Sequence, residues 1–76
     1  MKKLEEIVAD FFNEDIKKIS ENTSQKDIEK WDSLNSLLLI NEIEKEYNIT
    51  ISIDDIIEIN SILDIKNILK KHNLEI

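Results

Sequence analysis

The chain contains neither glycine nor proline, and this absence limits its possible folds more than any other feature. Without glycine there are few cheap positions for positive φ, and the tight turns that join antiparallel strands lack their usual residues. The composition argues for helices, although the many isoleucines would also tolerate strands. With 76 residues, the chain reads as one domain over 1–76 with a modest core, only marginally stabilised by burial. It has no cysteine, so no disulfide supports it, and any thiol chemistry has to arrive on something attached later.

The distribution of charge says more than its total. Of the net −7, the segment 32–64 holds eight acids (Asp32, Glu42, Glu44, Glu46, Asp54, Asp55, Glu58 and Asp64) and one base, Lys45, while acids and bases elsewhere cancel. Nucleic acid is therefore not an expected partner, because binding it needs a basic face. A basic protein surface is the better match. Apolar runs fall far short of the roughly 20 residues of a membrane helix, and Met1-Lys2-Lys3-Leu4-Glu5-Glu6 does not read as a signal peptide. No membrane association is expected, and the expected location is cytoplasmic.

Apolar spacing divides the chain into helices. Leu4, Ile7, Val8 and Phe11 form one stripe of a helix over 3–13. Residues 14–32 are polar and irregular, with Ile16 and Ile19 as expected core anchors and Ser24-Gln25-Lys26-Asp27 as a capping-box-like turn. So long a loop is uncommon in a compact domain and is often functional. A second helix is expected over 33–47. The alternating segment 48–53 has no strand of similar quality to pair with and reads as a connector with Ile49 and Ile51 inward. Ser52-Ile53-Asp54-Asp55 and Ser61-Ile62-Leu63-Asp64 both fit the Ser-x-x-acid capping pattern. They predict a short third helix near 54–59 and a fourth near 62–72, whose apolar face is Ile62, Ile65, Ile68 and Leu69. The fold class expected is all-α: a four-helix bundle with a long first loop and a short third helix.

Placing the second helix at 100° per residue gathers Ser36, Leu37, Leu39, Ile40, Ile43 and Tyr47 on one broad face. Asn41, Glu42, Lys45 and Glu46 face away, and Leu34 and Leu38 fall among them. Two leucines on a polar face have two readings. The long loop folds over them, or they form a docking patch with an apolar centre and a charged rim. Ser33 also has two readings. An Asp-Ser pair before an apolar-periodic run usually caps the helix, and those residues alone say no more.

The wider pattern does. Trp31-Asp32-Ser33-Leu34, followed by Leu37, Leu39-Ile40, Ile43-Glu44, Tyr47, Ile49 and Ile51, closely resembles the acyl carrier protein family. The resemblance continues through Asp54-Asp55, Ile59 and Ser61 and covers nearly the whole chain. It implies the four-helix bundle of acyl-carrier type. It also implies that a phosphopantetheinyl transferase attaches 4′-phosphopantetheine from coenzyme A to Ser33, and that the distal thiol then holds an acyl or aminoacyl group as a thioester. Asp32 and Leu34 are the implied neighbours of the attachment site. Leu34, Leu38, Glu42, Glu44, Glu46, Asp54 and Asp55 are the implied docking residues, toward loading and processing enzymes with basic surfaces. Ile40, Ile43, Ile56, Ile59 and Ile62 are an implied acyl pocket, although as residues they read first as ordinary core, which any four-helix domain needs. Two departures stand at the docking edge: Trp31 where many members have glycine, and Leu38 where many have an acid. They suggest a carrier dedicated to particular partners, of a specialised acyl, aminoacyl or polyketide pathway and not necessarily the general fatty-acid one; fatty-acid, polyketide and nonribosomal-peptide synthesis all stay open.

Physical chemistry is compatible with that reading, since a helix N-terminus favours a bound phosphate. His72, the single histidine, has no neighbours with which to build a metal site and suits the negative end of the last helix. No base accompanies Ser33 in sequence to make it a nucleophile, so no catalytic residue, metal or enzyme activity is expected. The chain is expected to act as a monomer. The alternative is an unmodified helical interaction module whose Leu34 and Leu38 bind a partner helix or groove.

Overall fold

The computed structural model describes residues 2–74. Met1, Glu75 and Ile76, which belong to the expected domain, lie outside the described residues. The architecture is all-α. Four helices follow in order, α1 (Leu4–Phe12), α2 (Ser33–Tyr47), α3 (Ile53–Ile56) and α4 (Ile62–Lys71), with one 3₁₀ turn at Ile16–Lys18. Among the described residues there is no strand. One isolated antiparallel bridge joins Ser24 to Ser61. No described helix is long and apolar enough to cross a membrane.

The helix ends follow local chemistry. Ser61 and Asp64 complete a reciprocal capping box at α4: Ser61 Oγ accepts from the Asp64 N–H at 3.2 Å, and the Asp64 carboxylate accepts from the Ser61 N–H at 3.1 Å. Ser52 caps α3, which is shorter than expected and ends at Ile56. The C-termini of α1 and α2 are closed by Asn13 and Asn48 in left-handed conformation, and Asn73 after α4 also has positive φ. In a chain without glycine, asparagine takes the positions that need φ > 0.

The core joins α1, α2 and α4. Leu4, Val8, Leu39, Ile40, Ile43, Ile62, Ile65 and Leu69 are all sealed from solvent. Two expectations require correction. Phe12, not Phe11, completes the α1 stripe, because Trp31 comes into the core beside it with ring centroids 5.8 Å apart. Phe11 is half-buried against it, edge-on. Ile16 is exposed, because Asp15 caps the 3₁₀ turn and turns that residue outward; Ile19 alone anchors the segment. Ser24–Asp27 forms the expected short turn, with the Asp27 carboxylate accepting from the Ser24 N–H at 2.9 Å.

The long loop is stitched to the start of α4. The Ile62 N–H donates to Thr23 O, the Leu63 N–H to Glu21 O and the Gln25 N–H to Asn60 O, all at 2.9–3.1 Å. Thr23 is buried here, its Oγ1 accepting from the Ser20 N–H and donating to Lys18 O. Lys66 adds a partly buried ion pair to Glu5 at 2.7 Å, tying α4 to α1. The loop thus approaches α2 on a fixed path, and its last residues set the helix start.

Candidate functional site

The start of α2 separates the two readings of the Asp-Ser pair. Asp32 is the cap: its backbone is extended, and its side chain accepts from the Asn35 N–H at 2.8 Å. Its carbonyl accepts from the Ser36 N–H at 2.8 Å, and the Asn35 side-chain amide reaches back to Lys30 O at 2.7 Å. The loop end is thereby locked to the first helical turn. Ser33 is the first helical residue, is exposed, and its hydroxyl has no hydrogen-bond partner among the described residues. Because the neighbouring carboxylate does the capping, the Ser33 oxygen is left available. The N–H groups of Ser33 and Leu34 belong to the orphan donors of a helix N-terminus and also have no acceptor among the described residues.

Leu34 and Leu38 are exposed, at 65% and 44%. The long loop does not fold over them. Leu37, expected on the inward face, is 49% exposed. The wheel angle that pointed it inward leads to a gap instead, because α3 is a single turn too short to cover it. Ile53 and Ile57, at the two ends of that turn, are exposed as well.

The acidic residues have different local roles. Glu42 faces solvent and pairs with Lys45 one turn on, at 3.7 Å. Glu44 turns toward the connector, where its carboxylate accepts from the Ile51 N–H at 2.7 Å. That bond satisfies the backbone just where Ile51 enters the core. Glu46 accepts from the Lys2 N–H at 3.0 Å. Asp55 pairs with Lys71 of α4 at 3.0 Å, whereas Asp54 is exposed. Glu42 and Asp54 are thus surface acids, while Glu44, Glu46 and Asp55 brace neighbouring segments.

Ser33 opens onto a cleft of about 380 Å³ between the start of α2 and the segment 56–60. Ser36, Leu37, Ile56, Ile57, Ile59, Gln25 and Asn60 line it. Of the five isoleucines expected to form a pocket, only Ile56 and Ile59 reach this cleft. Ile40, Ile43 and Ile62 are packed core residues on its far side from solvent. Gln25 and Asn60 escape sequence reasoning, because their place in the wall depends on the backbone stitching of the loop to α4. The Gln25 side-chain amide completes that seam by donating to Ile59 O at 3.2 Å. A separate cleft of about 260 Å³, bordered by Lys2, Asp10, Phe11, Glu42 and Glu46, does not include Ser33 and is spanned by the Lys2–Asp10 ion pair.

Trp31, one of the two departures from the family pattern, is buried against Phe12 rather than displayed at the docking edge. Its indole N–H has no acceptor among the described residues. Leu38 is the departure that reaches the surface. The described residues hold no group of three or more His, Cys, Asp or Glu side chains placed to bind a metal ion.

Comparison with known proteins gives one family. A family model described as "Phosphopantetheine attachment site" matches residues 2–69. No curated protein matches the chain.

Proposed function

The chain belongs to the phosphopantetheine-attachment-site family of acyl and peptidyl carrier proteins, and on that premise we propose that Ser33 carries the arm and that the α2 surface beside it is read by partner enzymes. The group such a domain carries is 4′-phosphopantetheine, held covalently. Domains of this family are in general carriers rather than catalysts, and they meet phosphopantetheinyl transferases and biosynthetic enzymes.

The observation that carries the assignment to Ser33 is its hydroxyl, exposed and unpartnered at the first position of α2 while Asp32 does the capping. The residues present fit the group. A phosphodiester on Ser33 Oγ would lie at the positive end of a helix of 15 residues, where the N–H groups of the first turn favour an anion. In the attachment step, Ser33 Oγ bonds to the phosphorus that bears the pantetheine in coenzyme A. The bond from that phosphorus to the nucleotide half breaks, adenosine 3′,5′-bisphosphate leaves, and the hydroxyl proton passes to a base of the transferase. Once bound, the arm supplies a terminal thiol for thioester formation. The chain's own residues hold the attachment point at a rigid helix start and present it to solvent.

The cargo is an acyl or aminoacyl group. Partner enzymes of matching chemistry have an apolar contact for Leu34 and Leu38 with basic residues around it to face Glu42, Asp54 and Asp32. The chain itself performs no chemistry on the cargo. Incubation with coenzyme A and a transferase should raise the intact mass by one phosphopantetheine, and Ser33→Ala should abolish the gain while leaving the helical circular-dichroism spectrum unchanged. A gain that survives Ser33→Ala sinks the assignment.

A further inference from the structure

The third position of a capped helix is filled in two ways in this molecule. In α3 and α4 it holds an acid, Asp55 or Asp64, which suits the positive end of a helix. The Asp64 carboxylate accepts from the Ser61 and Asn60 N–H groups and so grips the cap and the residue before it. In α2 the same position holds Asn35. Asparagine is a poor helix former and brings no charge to the helix dipole. What it brings is a donor. Its side-chain amide donates to Lys30 O at 2.7 Å, two residues before the cap and outside the helix. An ionised aspartate could not make this bond, because a carboxylate only accepts.

That bond closes a clamp on the residues in front of Ser33. Lys30 O also accepts from the Asp32 N–H at 3.0 Å, so one carbonyl receives two donors. Trp31 is fixed from the opposite side. It is only 3% exposed, its ring lies against Phe12, and its N–H donates to Ile28 O at 3.0 Å. Asp32 is fixed through its carboxylate, which accepts from the Asn35 N–H at 2.8 Å. The core therefore holds Trp31 and the cap holds Asp32, while Lys30 is exposed and the Asn35 side chain ties it across to the helix. Helix ends commonly fray. A frayed first turn would point Ser33 Oγ in several directions, of which attack on a phosphorus held by an enzyme uses one. A protein that populates the competent state only in part binds more weakly by that fraction.

We propose that Asn35 is a positioning residue for arm attachment: by holding the Lys30 carbonyl it fixes the segment before Ser33, so that the free protein already presents Ser33 Oγ in the orientation the transferase uses. The inference rests on Ser33 carrying the arm.

The test uses the full chain with Asn35→Ala, which removes the donor, and Asn35→Gln, which keeps it one methylene further out. Parent and variants are treated with coenzyme A and a phosphopantetheinyl transferase, and attachment is followed by intact mass. Asn35→Ala should raise KM for the carrier roughly fivefold, the worth of one net hydrogen bond, with kcat and the unfolding midpoint unchanged. In the free protein, hydrogen exchange of the Trp31 and Asp32 amides should quicken by a similar factor. Asn35→Gln should recover most of both effects. A raised KM with unchanged exchange makes Asn35 a direct contact of the transferase and overturns the clamp. Faster exchange with unchanged KM makes the bond merely structural and overturns it too, as does a Gln variant that recovers neither. If the parent gains no mass, or gains it in Ser33→Ala, the attachment reading falls and the clamp with it. If the parent is modified at Ser33 and Asn35→Ala matches it in KM, only the clamp fails.

Discussion

α1 and α4 differ from α2 and α3 in how they use their aliphatic side chains. α1 buries Leu4, Ile7, Val8 and Phe12, and α4 buries Ile62, Ile65, Ile68 and Leu69. Lys66 of α4 pairs with Glu5 of α1 and comes within 3.9 Å of Glu21 in the loop. On the other side, α2 leaves Leu34, Leu37 and Leu38 in solvent, and Ile53 and Ile57 flank α3 unburied. The net negative charge of the sequence also resides in 32–64. Leaving five large aliphatic side chains in water forgoes burial that a chain of 76 residues can hardly spare. α2 thus has two faces: Leu39, Ile40 and Ile43 hold the fold together with α1 and α4, while its outer face, with the ends of α3, is the surface proposed above for contact with partners.

Substitutions test that division. The largest effect is expected in the packed half. Ile65→Ala should lower the unfolding free energy by about 3 kcal/mol, read by denaturant titration. Leu34→Ala should change it by no more than about 0.5 kcal/mol. Comparable losses at the two sites would erase the distinction.

In the contact half the effect should be on rate instead. Leu38→Glu should reduce kcat/KM of a partner enzyme for the loaded carrier roughly tenfold, about 1.4 kcal/mol, with helical content unchanged. Glu42→Lys should act in the same direction. If transfer proceeds at full rate in both variants, the α2 surface is not where partners bind.

The smallest effect sharpens the comparison through pH. Burial opposes ionisation of Glu5, but its hydrogen bond to Lys66, a backbone hydrogen bond and the charges of Lys66 and Lys3 outweigh burial and hold the carboxyl below its ordinary value of 4.5. A carboxyl depressed in the folded state stabilises the fold above its unfolded value and loses that contribution as pH falls through the folded one. Lys66→Met should therefore cost about 1 kcal/mol near neutrality. The gap between variant and parent should be full above pH 4.5 and narrow below it. A gap that widens on acidification contradicts this pairing.

Much of this arrangement could be read in advance. Local signals were enough for the start of α2 at Asp32-Ser33, the capping box at Ser61 and Asp64, the inward Ile51, and the place of Leu34 and Leu38 on the polar side of α2, though not for their being uncovered. Asn13 and Asn48 also carry a local signal: in a chain without glycine, they mark where two helices stop. Other features had no local signal. Phe11 and Phe12 are adjacent and equally apolar, and only the arrival of Trp31 chooses between them. Glu44 looks like any surface acid until the connector brings the Ile51 N–H within 2.7 Å of it.

Periodicity, capping residues and charge placement are properties of neighbours along the chain. By themselves they determined the four helices, the acidic segment, and a serine at the head of the second helix. Which side chains meet across the chain was decided only in three dimensions. The seam between Thr23 and Ile62 brings Gln25 and Asn60 to the cleft, and the single turn of α3 leaves Leu37 uncovered. The reason is physical. A helix's own spacing sets the direction of each side chain, but whether protein or water lies in that direction depends on segments far away in sequence.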